Sequence, residues 1–208
     1  MPRIVLLSVL LALAMNVIAL GQAPHPEVYD QTAGLVSTSF FDPGFNGVNW
    51  IGAVARHRRA AERAGHQEEL SDVINELLAE LKTSHTYHFT PSDIEYFHLL
   101  DIFPHAREAA GLPQDAAQYE GLSAFFSTVG GRTFISSLWA GGEAEQAGLR
   151  IGDEIVSVEG EPFSPVDSFR GRAGERVQMT IRRKEGYELL HGKVKVERIK
   201  PKAALPLA

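Results

Sequence analysis

The residues able to do chemistry gather at two places. The first is Ser84-His85-Thr86-Tyr87, with His88 just beyond. An imidazole can take a proton from a serine hydroxyl when it is held within hydrogen-bond reach and oriented by another group. His85 can equally be a helix-terminal histidine that satisfies a last-turn carbonyl. A metal shared by His85 and His88, three residues apart, is not expected. There is no His-Glu-x-x-His, no acidic third ligand at a telling spacing, and Pro91 soon interrupts the helix. The second place is Gly121-Leu122-Ser123-Ala124-Phe125, which misses the Gly-x-Ser-x-Gly of a nucleophile elbow at its last position. No Ser stands three residues before a Lys, and no Cys occurs in the 208 residues, so a Ser-Lys dyad, a thiol nucleophile and a disulfide framework are all excluded. Acyl transfer needs a nucleophile, a base and oxyanion donors together. Only a candidate base is visible.

Other charged clusters read as surface. Arg56-His57-Arg58-Arg59 suits the solvated face of a helix, and Arg182-Arg183-Lys184 suits a protected hairpin tip. Asp42, Asn46 and Gly47 lack the acidic ligands and closing Glu of a calcium loop. With 20 basic and 26 acidic residues, net −6, no basic field marks a nucleic-acid partner. No cofactor is expected.

The elements that position these residues change character once, near Pro104 to Gln118. Before that point the periodicity is helical. Val28, Leu35, Val36 and Phe40 share a face ended by Asp42-Pro43-Gly44, and Trp50, Ile51, Val54 and Ala61 form a second helix ending at Gly65. Leu70, Val73, Ile74, Leu77, Leu78 and Leu81 make one stripe opposite Glu68, Glu69, Asp72, Glu76 and Glu80. Ser84 and His85 follow this third helix. A fourth is expected from Thr90, with Pro91 at its first position, to Pro104. Short helices with apolar stripes must bury them against each other, hence a small helical bundle.

Beyond Tyr119 the pattern is strand-like. Residues 123–128 and 132–138 flank Gly130-Gly131, a two-residue hairpin turn. A short helix over 143–147 closes at Gly148, a strand covers 154–158, and Ser164 caps another short helix ended by Gly171. Strands over 177–182 and 193–199 complete a partly open β-barrel, so the fold class is α+β.

This second half resembles a PDZ domain of the bacterial peptidase type. The resemblance rests on Tyr119-Glu120-Gly121-Leu122-Ser123, on the run Ala144 to Ile155 with Gly148-Leu149-Arg150-Ile151-Gly152-Asp153, and on Gly160. It implies that a peptide's C-terminus adds as a strand, its carboxylate received by backbone N–H groups of Gly121, Leu122, Ser123 and Ala124. Gly121 would let that loop curl without a Cβ clash. Phe125 and Phe126 would lie on the pairing strand, and Val166 and Phe169 would line the other wall. The helix forming that wall is short, so binding should be weak and permissive.

The run Phe41 to Trp50, followed by Glu76 to Tyr87, is similar to the front of tail-specific, or carboxyl-terminal processing, serine peptidases, closest to their tricorn-like branch. That family orders a helical segment, a PDZ domain and an α/β catalytic core. The resemblance implies that His85 is a general base and that Ser84 helps polarise the site. Residues 201–208 cannot hold a catalytic core, so this chain alone is expected to be inert as a protease. The implied function is the non-catalytic front of such a peptidase, binding C-terminal peptides or unfolded segments. A free-standing PDZ adaptor and a subunit completed by a separate peptidase core are the alternatives.

The expected organisation is a signal peptide over 1–23, a helical domain over 24–110, a PDZ domain over 111–200 and a tail over 201–208. Arg3, the apolar run from Ile4 to Leu20 and Gly21-Gln22-Ala23 read as an export signal, which points to a periplasmic or extracellular protein. Membrane attachment would follow only if that segment stayed uncleaved.

Overall fold

A computed structural model describes residues 26–84, 86–183 and 189–201. The expected export signal lies outside the described residues, as do His85 and Lys184. The chain divides into two compact units between Thr90 and Pro91.

The described residues of the first unit form three α-helices, α1 (Pro26–Ser39), α2 (Trp50–Ala61) and α3 (Gln67–Ala79), with a 3-10 turn (Phe45–Gly47) between the first two. The stripe on α3 is the centre of its core. Leu70, Ile74, Leu77, Leu78 and Leu81 are buried against Tyr29, Trp50 and Ala53. Asn49 caps α2 by accepting the Gly52 N–H. The basic cluster on α2 stays at the surface, where Arg58 pairs with Asp30, and Arg56 and His57 meet Glu80.

Two helices stand where the sequence suggests one. Thr90-Pro91 does not open a helix; α4 (Ile94–Ile102) begins after Asp93, whose extended backbone fills the N-cap position. Pro104 does not merely end it but starts α5 (Pro104–Ala109), because a fixed φ and a missing N–H suit the first helical position as well as they interrupt an interior. Both helices fall in the second unit. Phe97 packs with Tyr119, Val166 and Ile199, so α4 buries its face on other elements of the second unit.

The strands are β1 (Tyr119–Gly121), β2 (Ala124–Val129), β3 (Arg132–Leu138), β4 (Glu154–Val158), β5 (Glu161–Pro162), β6 (Arg176–Arg182), β7 (Leu189–Lys195) and β8 (Glu197–Ile199), with the one-turn α6 (Glu143–Gln146) between β3 and β4. The main sheet is antiparallel in the order β2-β3-β4-β6-β7, with β5 hung on β4, and it does not close. Gly130 and Gly131, at φ of 58° and 73°, make the hairpin turn, and Gly148 at 80° ends α6. The last strand splits into two. The Val196 N–H donates to Glu175 and its carbonyl accepts from Gly174, which turns the chain away from β6 so that β8 pairs with β1 in a separate ribbon.

Glu154 ties three strands together. Its buried carboxylate receives Arg132 Nε from β3 at 2.9 Å and Arg182 Nη1 from β6 at 2.7 Å. The hydrogen-bonded Arg132 guanidinium, aided by Arg182, holds this carboxyl below its ordinary value of 4.5 against the opposing cost of burial. The stabilisation is therefore complete above about pH 4.5 and is lost as pH falls through the lower folded value. Glu154→Gln should cost about 1–3 kcal/mol at neutral pH and flatten the loss of thermal stability between neutral pH and pH ~3. Melts of equal acid sensitivity in both proteins would show that Glu154 does not carry it.

Candidate functional site

Within the first unit, the described chain on either side of Ser84 is pinned. Upstream, Phe45, Asn46 and Gly47 take left-handed φ values of 50°, 53° and 80°, which is costly for a phenylalanine. Two contacts hold this loop. The Asp42 carboxylate accepts the N–H groups of Gly44 at 3.0 Å and Asn46 at 2.7 Å, which lowers its pKa. The Phe45 ring stacks between Phe40 and Trp50, 5.9 Å from each. So placed, the Asn46 side-chain amide donates to the Leu81 carbonyl at 2.7 Å, filling an acceptor at the end of α3. The two stretches that carry the peptidase resemblance are thus joined by a hydrogen bond.

Downstream, Lys82 is left-handed at φ 54°, and the Thr83 and Thr86 hydroxyls meet at 2.7 Å across Ser84 and His85. Asn75 then grips the backbone of His88, accepting its N–H at 2.7 Å and donating to its carbonyl at 2.9 Å. A serine–histidine contact does exist here, but between Ser71 and His88, with Oγ 2.9 Å from Nδ1. Ser71 is buried on α3 and its hydroxyl also faces the His88 carbonyl, so this pair fixes the strap. Ser84 itself is exposed.

In the second unit the structure assembles the other predicted site at the head of β2. Ala124 opens the strand, preceded by Leu122 and Ser123, which are shut off from solvent. Gly121 is needed for room rather than for a curl: it has no left-handed φ, and a Cβ there would sit 3.1 Å from the Tyr119 ring. Burial pushes the Tyr119 phenol up to about 12, which keeps it neutral beside the loop. The loop is bonded internally by Ala124 N–H to Leu122 C=O at 2.8 Å and to the next loop by Trp139 N–H to Ser123 C=O at 3.0 Å. This leaves the Leu122 and Ser123 N–H groups without an acceptor among the described residues. The Ser123 hydroxyl accepts the Ala144 N–H at 3.2 Å, so it anchors α6 and is no nucleophile.

β2 pairs with β3 along one flank only and forms one edge of the main sheet. The register shifts between Phe125 and Phe126, a bulge that re-aims this part of the strand. The facing wall differs from expectation. The capped segment after Ser164 is a single 3-10 turn (Asp167–Phe169). Phe169 is wholly buried in the main core and Val166 belongs to the Phe97 cluster, so both back the wall from inside. The ring between strand and wall is Phe163, whose centroid is 5.3 Å from Phe126 and 6.0 Å from Phe169. Sequence reasoning missed Phe163, Trp139, Asn46 and Asn75, all of which act through partners distant in the chain.

Two family models match this sequence: the tricorn protease C1 domain over residues 22–79 and a PDZ domain over residues 134–183. Tricorn protease homolog 2 of Streptomyces coelicolor is 27% identical over 173 residues, and tricorn protease homolog 1 of the same organism 25% identical over 178. These alignments take in 77% and 81% of this chain but only 13% and 15% of the relatives' own length. Among solved structures, the photosystem II D1 C-terminal processing protease matches 84% of this chain and 44% of its own, at 20% identity and a TM-score of 0.48. The PDZ domain of the carboxy-terminal protease from Vibrio cholerae, solved with a peptide, matches 39% of this chain and 97% of its own, at 24% identity and a TM-score of 0.34.

Asn75→Ala removes both bonds to the His88 backbone. Hydrogen exchange at His88 and its neighbours in 82–88 should accelerate at least about tenfold while amides of β2 and β3 are unchanged. Unaltered exchange in that segment would show that the strap does not hold it.

Proposed function

We propose that this chain, which is similar to tricorn-like, tail-specific peptidases through its C1 segment and its PDZ domain, recognises peptide ends for such a peptidase. One observation carries this reading: β2 is an edge strand whose head is a loop with two unclaimed backbone N–H groups. An extended segment that adds antiparallel to β2 satisfies the open row of N–H and C=O groups, and its terminal carboxylate meets the Leu122 and Ser123 amides. The ligand is a C-terminal peptide or an unfolded protein segment. Gly121 and Ala124 frame the loop, Phe125 and Phe126 present the strand, and Val166 and Phe169 support the wall through Phe163. The apolar run from Ile4 to Leu20 supports export to a periplasmic or extracellular setting.

Titration of the isotope-labelled chain with a C-terminal peptide should shift amides of Ala124–Val129, and Phe126→Ala should weaken binding roughly five- to tenfold. A peptide that binds without disturbing β2, or with the same affinity for the variant, sinks strand addition.

A second reading concerns Ser84 and His85. The strained and doubly anchored backbone on either side of them favours a positioned chemical role, with His85 as base and Ser84 as a polarising neighbour. The nucleophile and oxyanion donors would come from a peptidase core. When such a core is combined with this chain, His85→Ala should abolish peptide cleavage; retained cleavage removes His85 from the mechanism.

A further inference from the structure

An arginine of the second unit is buried without being neutralised. Arg107, on α5, is 7% exposed. Its Nη1 donates to the Leu100 carbonyl near the end of α4, at a long 3.3 Å. Its Nε–H has no acceptor among the described residues, and no described carboxylate forms an ion pair with the guanidinium. A guanidinium carries five N–H donors and no acceptor. Taking it out of water is costly unless acceptors, best of all a carboxylate, meet it. One carbonyl at the negative end of a short helix answers only part of that demand.

Arg107 also forms part of the wall of a cleft of about 780 Å³. The cleft lies between α4, α5, the 3-10 turn Gln114–Ala117 and the chain leaving β8. That volume suits a small molecule rather than a single ion. The other charges of the cleft narrow its chemistry. Lys200 adds a second cation, and Asp101, Glu108 and Asp115 are the anions. Glu108 and Asp115 are exposed, and Glu108 meets only the exposed His105, at 3.8 Å, among the described residues. Three carboxylates against two cations disfavour phosphate or a dicarboxylate. An amine alone leaves the guanidinium unanswered. A ligand with one carboxylate and one ammonium satisfies both sets.

The two sets are also spread apart. Arg107 reaches back to Leu100, whereas the next helical residue, Glu108, points about 100° away. Asp115 stands on the separate 3-10 turn. A single amino acid holds both charges on one carbon, while two or three residues extend them by about 3.3 Å each. We propose that this cleft binds a short peptide with both ends free, its carboxylate on Arg107 and its ammonium between Glu108 and Asp115. The cleft shares no residue with β2, and it needs both termini where the β2 edge needs only the carboxylate.

The test titrates the full chain, labelled with nitrogen-15, with trialanine. The Arg107 Nε–H signal, identified by its loss in Arg107→Lys, is followed together with the amides of 114–118. Trialanine should move both. Its N-acetyl form and its C-terminal amide should each bind this cleft at least about fivefold more weakly, and inorganic phosphate should leave the Nε–H in place. Glu108→Gln and Asp115→Asn, both at exposed positions, should each weaken trialanine roughly two- to fivefold and leave the N-acetyl form unaffected. An Nε–H and 114–118 amides that ignore trialanine overturn the proposal. An equal response to the acetylated peptide or to phosphate overturns it as well, since the cleft would then be a general anion site. Shifts in Ala124–Val129 report on the β2 edge, so either reading can fail while the other stands. Should Arg107→Lys not fold, a through-bond correlation assigns the signal and the two exposed variants decide.

Discussion

A β-strand presents two rows of backbone donors and acceptors, and one neighbour can satisfy only one of them. In this chain β2 is paired with β3 and with nothing else among the described residues. An open edge is ordinarily a liability that folds blunt with charges, proline or a covering element. Here the edge carries Ala124, Phe125, Phe126, Ser127, Thr128 and Val129, with no charge and no proline. The rest of the unit serves to keep that edge in place. Glu154 locks β3 to β4 and β6. Ser123 fixes the loop to α6, and α6 in turn is joined to β7 by the Glu143–Lys195 pair at 3.0 Å.

The first unit follows a related logic at the level of single residues. Backbone strain at Phe45, Asn46 and Lys82 persists only because surrounding contacts over-determine it. The Asp42 carboxylate and the Phe40–Phe45–Trp50 stack supply those contacts on one side. The Asn75 clamp and the Ser71–His88 contact supply them on the other. These contacts fix the described backbone on either side of Ser84. The helices supply the framework, and the polar side chains aimed inward from α3 set the path of the chain leaving it.

Legibility in the sequence followed the range of the interaction. The stripe on α3 was readable because its spacing is local, and Gly130-Gly131 and Gly148 because a positive φ leaves a mark on residue type. Pro104 was ambiguous, since one fixed φ both stops a helix and starts one; the choice was made by Phe97 finding Tyr119 and Ile199. The role of Gly121 was misread for a similar reason. A glycine signals either an unusual φ or a close neighbour, and the neighbour, the Tyr119 ring, is known only from the fold. Asn75, Phe163 and Trp139 left no signal, and Asn46 showed only as part of a loop, because the contacts that matter, such as Asn46 with Leu81, Asn75 with His88 and Phe163 with Phe126, join residues well apart in the chain. The candidate site was therefore visible as a location before it was visible as a set of donors.

The short wall has a consequence for what such a groove can discriminate. Side-chain selectivity in strand addition comes from pockets beside alternate ligand residues. Those pockets need a wall long enough to face several positions. A three-residue turn, with Val166 and Phe169 drawn into the interior, offers little more than the Phe163 ring to the ligand. What remains is the row of backbone groups along β2 and the donors at its head, neither of which depends on the ligand's sequence. On the proposed reading, affinity comes from being extended and from ending in a carboxylate, and the site sorts chains by whether they have a free, unfolded end rather than by which residues compose it.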